Sequence, residues 1–263
     1  MNDQHASLTY TSYLALDDVL AAQHPRSAEH DEMLFIVIHQ VYELWFKQLL
    51  HELDHLRLRL DAGDTPHAVR TMRRVLTILK VVVAQIDVLE TMTPSQFTSF
   101  RERLDASSGF QSAQFRELEA LLGRRDSKVF EHYPEGGEAR KRIAERMTSP
   151  SLFDAFLRYL AMHDYEVPAA AIGRDVSLPL EPSEEVQELL LRVYRDDSGP
   201  ATVCEHLVDL DEGVQEWRYR HVKMVERTIG DKAGTGGSSG ASYLRTTVGG
   251  QAFPDLWAVR SRL

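Results

Sequence analysis

The stretch His30–Leu53, HDEMLFIVIHQVYELWFKQLLHEL, constrains the fold more than any other part of the chain. On a helix, its apolar side chains form one broad face, made of Leu34, Val37, Ile38, Val41, Leu44, Trp45 and Leu49. A second, aromatic face is made of Phe35, His39, Tyr42 and Phe46. Because this helix is apolar most of the way round, we expect it to be buried. An imidazole in an aromatic wall is either a packed residue or a site of chemistry, and periodicity alone does not decide which.

Apolar residues at alternating spacings of three and four predict further helices along most of the chain. Two of them have clear start signals, because Thr65-Pro66 and Thr93-Pro94 each place a capping side chain before proline. The predicted helices cover about 13–20, 30–60, 65–92, 94–105, 115–122, 152–160, 184–196 and 203–229. No alternating strand pattern and no internal repeat occurs. We predict an all-α fold in a single domain over residues 1–263, with a smaller, less regular helical insertion over about 124–200.

Composition argues against several classes of protein. The formal net charge is −10 at pH 7, whereas nucleic acids and anionic membranes attract surfaces rich in Lys and Arg. The single cysteine, Cys204, excludes an internal disulfide and an all-cysteine metal site. The N-terminus, MNDQHASLTY, lacks a signal-peptide pattern, and no apolar run is long enough to span a membrane. We expect a soluble, cytoplasmic protein that binds neither nucleic acid nor membrane.

The segment His51–His55, HELDH, matches a zinc motif in which two histidines share one face of a helix. Catalytic zinc needs a third protein ligand, and the following Leu56-Arg57-Leu58 does not supply the residues of the extended motif. Glu52 and His55 also make half of a di-iron signature, but the chain has no second ExxH. We therefore interpret these residues as solvated side chains of the helix.

A glycine-rich loop, GDKAGTGGSSG, covers residues 230–240. It is neither a P-loop nor a dinucleotide fingerprint, because no Lys-Ser or Lys-Thr follows the glycines and no strand precedes them. The loop is either a flexible connector or a segment whose amides and hydroxyls close over a polar ligand. Its composition does not choose between the two.

Two further side chains stand out because they occupy apolar helix faces. His221 lies in the apolar seam of the last long helix, so two separate buried helices each present one histidine. An α-helical protein binds haem iron and lines the opposite side of the haem in this way. Arg101 lies on another apolar face, between Phe97 and Leu104. Its guanidinium either snorkels to solvent or binds a carboxylate through two hydrogen bonds.

Three long blocks of the sequence resemble the tryptophan 2,3-dioxygenases: Leu8–Asp54, Leu89–Glu119 and Glu216–Leu244. They begin LTYTSYLALDD, LETMTPSQFTSFR and EWRYRHVKMVE. The resemblance implies a multi-helix haem-binding bundle of the tryptophan/indoleamine dioxygenase type, usually a homotetramer, with one haem b per subunit. It implies an enzyme that uses ferrous haem and O₂ to cleave the C2–C3 bond of the indole of L-tryptophan. The product is N-formylkynurenine, the first intermediate of tryptophan degradation by the kynurenine pathway.

The same resemblance assigns roles to residues at the iron and the substrate. His221 in WRYRH matches the proximal iron ligand, and His39 in FIVIHQ matches the catalytic distal histidine that hydrogen-bonds the indole N–H. Phe35 matches a residue against the indole ring. Arg101 matches the residue that binds the substrate carboxylate, and Thr235 in GTGGSSG matches one that contacts the ammonium and carboxylate groups as the loop closes.

Other matched positions concern the edges of the site. Ser108 and Gly109 match positions beside the haem. Tyr10, Tyr13 and Leu14 match N-terminal residues that reach the pocket of a neighbouring subunit, which implies that assembly completes the site.

Two positions depart from the pattern of some family members. Phe97, a substrate-binding position, stands where some bacterial members carry a tyrosine hydroxyl, and Ile86 replaces an aromatic residue. Two alternatives stay open: an enzyme of the same fold that acts on another indole, and a non-catalytic haem-binding protein. The presence of both Arg101 and Thr235 favours an amino-acid substrate.

Overall fold

The computed structural model describes residues 7–105, 107–232, 234 and 240–263. These residues form α-helices joined by turns and short 3-10 helices, with no strand among them, so the all-α prediction is confirmed. The helices are α1 Tyr10–Leu14, α2 Leu16–Leu20, α3 His30–Asp61, α4 Thr65–Leu89, α5 Pro94–Arg101, α6 Ala113–Leu121, α7 Glu138–Met147, α8 Leu152–Met162, α9 Ala169–Ile172, α10 Glu184–Asp196, α11 Gly199–Ile229, α12 Ala241–Thr246 and α13 Pro254–Ala258.

Three long helices, α3, α4 and α11, form the frame of the molecule. Helix α4 packs along both α3 and α11, and the three bury one continuous apolar core. The crossing of α11 over α4 is close at Gly213, where a Cβ atom would lie 2.5 Å from Leu79 Cδ2. The absence of a side chain at Gly213 therefore permits the close approach of these two helices.

Local signals explain most helix ends. Thr93 caps α5 through a reciprocal capping box with Gln96, as the Thr93-Pro94 signal predicts. The residue that caps the start of α4 is Asp64 rather than the predicted Thr65, because Asp64 accepts a hydrogen bond from the backbone N–H of His67. The predicted bounds of α10 are confirmed, and Ser183 caps its first turn. Ala15, with φ of 49°, separates α1 from α2.

Helix α3 is not buried along its whole length, so the expectation from its apolar faces is wrong for several positions in its first half, although Ile38 and Tyr42 are buried there. Leu53, Leu56 and Leu60 are fully buried, but Val37 is 38% and Leu44 is 56% exposed. Likewise, α1 and α2 contain no buried residue. The physical reason is that no described part of the chain covers these apolar side chains.

The middle segment, expected as a less regular insertion over 124–200, contains α7, α8, α9 and α10. Helices α8 and α10 belong to the main core, since Phe153, Phe156 and Tyr159 of α8 are buried there. A small separate cluster forms around Ile143 of α7. No helix in the described part of the chain is both long and apolar enough to cross a membrane.

Candidate functional site

Helices α3, α4, α5, α6, α11 and α12 surround a cavity that is open to solvent on one side. Its wall is mainly apolar, and its aromatic members are Phe35, Tyr42, Phe46, Phe97, Phe115 and Trp217. A mainly apolar cavity with a few convergent polar groups is the usual kind of site for a small molecule or a cofactor.

His39 lies on α3 and presents one ring nitrogen to this cavity. Its Nδ1 is 2.7 Å from the carbonyl oxygen of Phe35, and because a carbonyl only accepts, Nδ1 carries the proton. Burial lowers the pKa of His39, so the ring is neutral at pH 7 and Nε2 keeps its lone pair. A Cβ atom at Gly109 would lie 3.9 Å from Nε2, which places this loop directly beside the histidine. His39 is thus a hydrogen-bond acceptor held in one tautomer.

His221 lines the same cavity from α11. Its ring stacks on Trp217 one turn earlier, with centroids 5.0 Å apart and an angle of 11° between the planes. Burial, with smaller contributions from His39 and Arg218, lowers the pKa of His221 to about 4. Within the described residues, neither ring nitrogen has a hydrogen-bond partner. A neutral imidazole with a free lone pair inside an apolar cavity is a suitable metal ligand.

The remaining predicted residues of the main site come together around His39. Phe35, Phe97 and Phe100 form an aromatic triangle with ring centroids 5.5–5.7 Å apart, and Phe35 lies 4.1 Å from the ring of His39. Arg101, at the end of α5, lines the cavity. It directly follows Phe100 in the chain and lines the same cavity as Phe35 and Phe97.

The loop that follows α5 closes this side of the cavity. Ser108 and Gly109 both line it, as does the neighbouring Ser107. Ile86 of α4 contributes an aliphatic side chain to the cavity wall.

The remaining predicted residues are Thr235 and three N-terminal side chains. Thr235 lies outside the described residues, although Gly234 and Gly240, which flank its loop, both line the cavity. Tyr10 and Tyr13 on α1 are 75% and 71% exposed, and neither they nor Leu14 line the cavity.

The sequence did not predict a cluster of buried charges at the cavity edge. Glu119 contacts Arg116 and Arg218, with N···O distances of 2.6 Å, and Arg124 at 3.4 Å. Its one local signal is the Arg116–Glu119 spacing of three, which is common on helix surfaces and therefore uninformative. The contact to Arg218 joins residues far apart in sequence.

The HELDH segment does not form a metal site in the described chain, where no group of three candidate ligands comes together. His51 and His55 are exposed, in agreement with their interpretation as solvated residues. For Glu52 that interpretation is wrong, because it is 4% exposed. It accepts hydrogen bonds from Arg74 at 3.0 Å and Gln48 at 2.8 Å.

The fold and the cavity together define an all-α protein in which two helices present neutral histidines to one aromatic cavity. Comparison with known proteins makes this class specific. A family model described as tryptophan 2,3-dioxygenase matches residues 1–172 and 174–263. The chain belongs to the tryptophan 2,3-dioxygenase family.

Three relatives, each named tryptophan 2,3-dioxygenase, illustrate the similarity. The protein of Anaeromyxobacter dehalogenans is 66% identical over 258 residues, covering 98% of this chain and 97% of the relative. The protein of Herpetosiphon aurantiacus is 56% identical, with coverages of 98% and 99%. That of Caulobacter vibrioides is 46% identical, with coverages of 97% and 98%.

Proposed function

We propose that this protein is a haem-dependent dioxygenase that cleaves the C2–C3 bond of the indole ring of L-tryptophan and gives N-formylkynurenine. Family membership supports the reaction and its substrates, L-tryptophan and O₂. The observation that carries the proposal is the pairing of His39 and His221, both neutral, in one aromatic cavity that Arg101 also lines. The active site belongs to a single all-α catalytic domain over residues 1–263.

The donor set fits haem. His221 offers a neutral imidazole without a hydrogen-bond partner among the described residues, so it would hold the iron on the proximal side. Trp217, stacked on that ring, limits its rotation. Ser108 and Gly109 would lie beside the haem on the side of His39. When bound, haem supplies the binding and activation of O₂, and the protein supplies orientation and a dry environment.

The substrate would bind with its indole between the aromatic side chains and its polar groups towards the loop. Phe35 and Phe97 provide the flat apolar surface that an indole requires. His39 accepts a hydrogen bond from the indole N–H at Nε2, because its own proton is committed to the carbonyl of Phe35. His39 therefore orients the ring and selects for an N–H group.

The amino-acid end of tryptophan would be held by charge. Arg101 binds the carboxylate, since a guanidinium fork matches a carboxylate with two parallel hydrogen bonds. Thr235, from the glycine-rich loop, contacts the ammonium and carboxylate groups as the loop closes over the substrate. Loop closure also excludes water from the reacting atoms.

We further infer that the working enzyme is a cytoplasmic homotetramer. The exposed apolar residues of α1 and of the first half of α3 support assembly, because large exposed apolar surfaces usually mark protein interfaces. Tyr10, Tyr13 and Leu14 would then reach the pocket of a neighbouring subunit. The single buried thiol, Cys204, is compatible with a reducing compartment.

An absorption experiment tests the proposal. The protein is supplied with haem, reduced without O₂, and then given L-tryptophan and O₂. We expect the spectrum of a histidine-ligated ferrous haem, followed by the absorbance of N-formylkynurenine, and we expect His221→Ala to lose the haem spectrum. Haem binding with product only from another indole would support an enzyme of the same fold that acts on that indole. Haem binding without any product would support a non-catalytic haem-binding protein. No haem binding would contradict the proposal.

A further inference from the structure

We propose that Arg218, together with Arg116 and Glu119, forms a cradle that binds a propionate carboxylate of haem. This inference rests on the proposed function, because it concerns the edge of the cofactor whose iron His221 would hold. It assigns a binding role to buried charged side chains that the proposed binding of L-tryptophan does not use.

The cradle is a buried cluster in which one carboxylate forms ion pairs with several guanidinium groups. Glu119 is 4%, Arg116 is 6% and Arg218 is 9% exposed, and both arginines line the cavity. Burial by itself raises the pKa of Glu119, but the neighbouring guanidiniums outweigh it and the pKa lies below its usual value. Glu119 is therefore ionised, and it holds the two arginines in place at the cavity wall.

Arg218 retains a donor that no described residue uses. Its Nη2 donates to Glu119 and its Nη1 reaches the carbonyl oxygen of Thr247 at 3.4 Å, but its Nε–H is buried without a partner in the described chain. A buried N–H of a charged group is normally hydrogen-bonded, because leaving it unpaired is costly. An incoming carboxylate would satisfy it.

The position of the cluster matches the edge of a haem whose iron is held by His221. Arg218 precedes His221 by three residues on α11. The guanidiniums of Arg116 and Arg218 lie 6.0 and 5.8 Å from the ring centre of Phe115. Phe115 in turn packs 4.6 Å from Trp217, which stacks on His221. Both carboxylates of haem lie on one edge of the porphyrin, so an anion held here and an iron held by His221 suit the same ligand.

A carboxylate has a second possible source, which is the substrate. Arg101 is on α5, next to the aromatic triangle around His39, whereas Arg218 and Arg116 adjoin Phe115, Trp217 and His221. The cluster therefore adjoins the iron ligand rather than the residues proposed to hold tryptophan. This placement favours the propionate.

The test compares the binding of haem with that of haem dimethyl ester, in which both propionates are esterified. Each is titrated into the ligand-free protein, and affinity is read from the haem absorption band, so that no turnover is needed. We expect the wild type to bind haem at least tenfold more tightly than the ester. In Arg218→Gln we expect this preference to fall at least fivefold, mainly through weaker binding of haem, while Arg218→Lys retains part of it.

The matched control is Arg142→Gln, which breaks a 2.9 Å ion pair to Glu117 on the same helix as Glu119 but outside the cavity. It should keep the wild-type preference. Arg116→Gln tests the cradle from α6 and keeps the inference refutable if Arg218→Gln does not fold.

The possible outcomes separate this inference from the proposed function. A wild-type preference for haem in a folded Arg218→Gln variant overturns the cradle and leaves the haem enzyme intact. Failure of the wild type to bind either compound overturns both. A variant that keeps its preference for haem but binds L-tryptophan, and not tryptamine, more weakly assigns the cluster to the substrate carboxylate and overturns the propionate.

Discussion

At the scale of single residues, the hydrogen bond of His39 determines what this histidine can do. With its proton fixed on Nδ1 by the carbonyl of Phe35, and with a lowered pKa, the ring offers only a lone pair to the cavity. We expect His39→Ala to keep haem and to lower kcat/KM for L-tryptophan roughly 3- to 10-fold, the value of one neutral hydrogen bond. Steady-state kinetics and the haem absorption spectrum of the variant measure the two effects.

His39→Gln is the matched control, because the amide oxygen of a glutamine at the same position can still accept a hydrogen bond from the indole N–H. It should recover part of the lost activity. Complete loss of haem from His39→Ala would contradict a distal position, since that position carries no iron ligand.

Arg101 makes a different kind of contact, because the carboxylate that it would bind is charged. A desolvated charge-assisted contact is worth about 1.5–3 kcal/mol, so Arg101→Ala should raise the KM for L-tryptophan roughly 10- to 150-fold. Exposed Arg103, two residues later, provides the control Arg103→Ala with wild-type kinetics. Binding of tryptamine, which lacks the carboxylate, should be the same with and without Arg101. An unchanged KM for tryptophan would exclude Arg101 as the carboxylate anchor.

At the scale of elements, a buried carboxylate attaches the C-terminal segment to α11. Asp211 is 1% exposed and accepts hydrogen bonds from the backbone N–H groups of Ala252 and Phe253 and from Trp257 Nε1, at 2.8–3.1 Å. We expect Asp211→Ala to lower the free energy of unfolding by roughly 3 kcal/mol or more, because several charge-assisted bonds are lost together. Urea denaturation measures this loss. Asp209→Ala, at an exposed position of the same helix, should lower the free energy of unfolding only slightly. Equal losses in the two variants would contradict the attachment of the C-terminal segment by Asp211.

For Asp255 we expect removal of the charge to stabilise the protein, in contrast to Asp211, because the contacts of Asp255 need an accepting oxygen but not a negative charge. One oxygen, Oδ1, accepts both the backbone N–H of Ser183 and Nε2 of Gln187, each at 2.9 Å. Burial raises the pKa of Asp255, so its contribution to stability is largest at low pH and falls as the pH rises through the raised pKa. Asp255→Asn keeps the accepting oxygen and removes the charge. We expect it to be more stable than the wild type at pH 7, by an advantage that shrinks towards pH 4. Urea denaturation at both pH values tests this.

Some helices and site residues can be predicted from the sequence and others cannot. Helix α10 follows from its capping serine and its regular apolar spacing, whereas α7, EARKRIAERM, buries only Ile143 and has no apolar face to recognise. His39 and His221 stand out because each interrupts an apolar helix face. Arg218 and Glu119 do not, because a charged residue on a helix is usually solvated, and their contact joins positions 99 residues apart. A tertiary pairing of this kind has no local signal.

At the scale of the whole molecule, the described part of the chain leaves the apolar side chains of its N-terminal helices uncovered. Tyr10, Tyr13 and Leu20 are each more than 70% exposed, a poor arrangement for a soluble monomer but a suitable one for residues that pack on another copy. The sequence could not distinguish these positions from core, because an interface and a core use the same apolar residues. The resemblance to the family, rather than periodicity, pointed to assembly.

If the N-terminal residues complete the site of a neighbouring subunit, two variants with defects in different parts of the site should restore activity when combined. A chain with Tyr13→Ala has an intact cavity and a defective N-terminal segment, and a chain with His221→Ala, which is expected to lose haem, has the reverse. Where a cavity and its N-terminal segment come from different chains, random assembly of an equal mixture makes about one quarter of the sites fully wild type. If both came from one chain, no site would be intact. We expect the variants, co-refolded with haem, to exceed the mean activity of the separate variants by up to about that fraction of wild-type turnover. Mixing them after assembly should give no gain, since subunits must exchange for the sites to form.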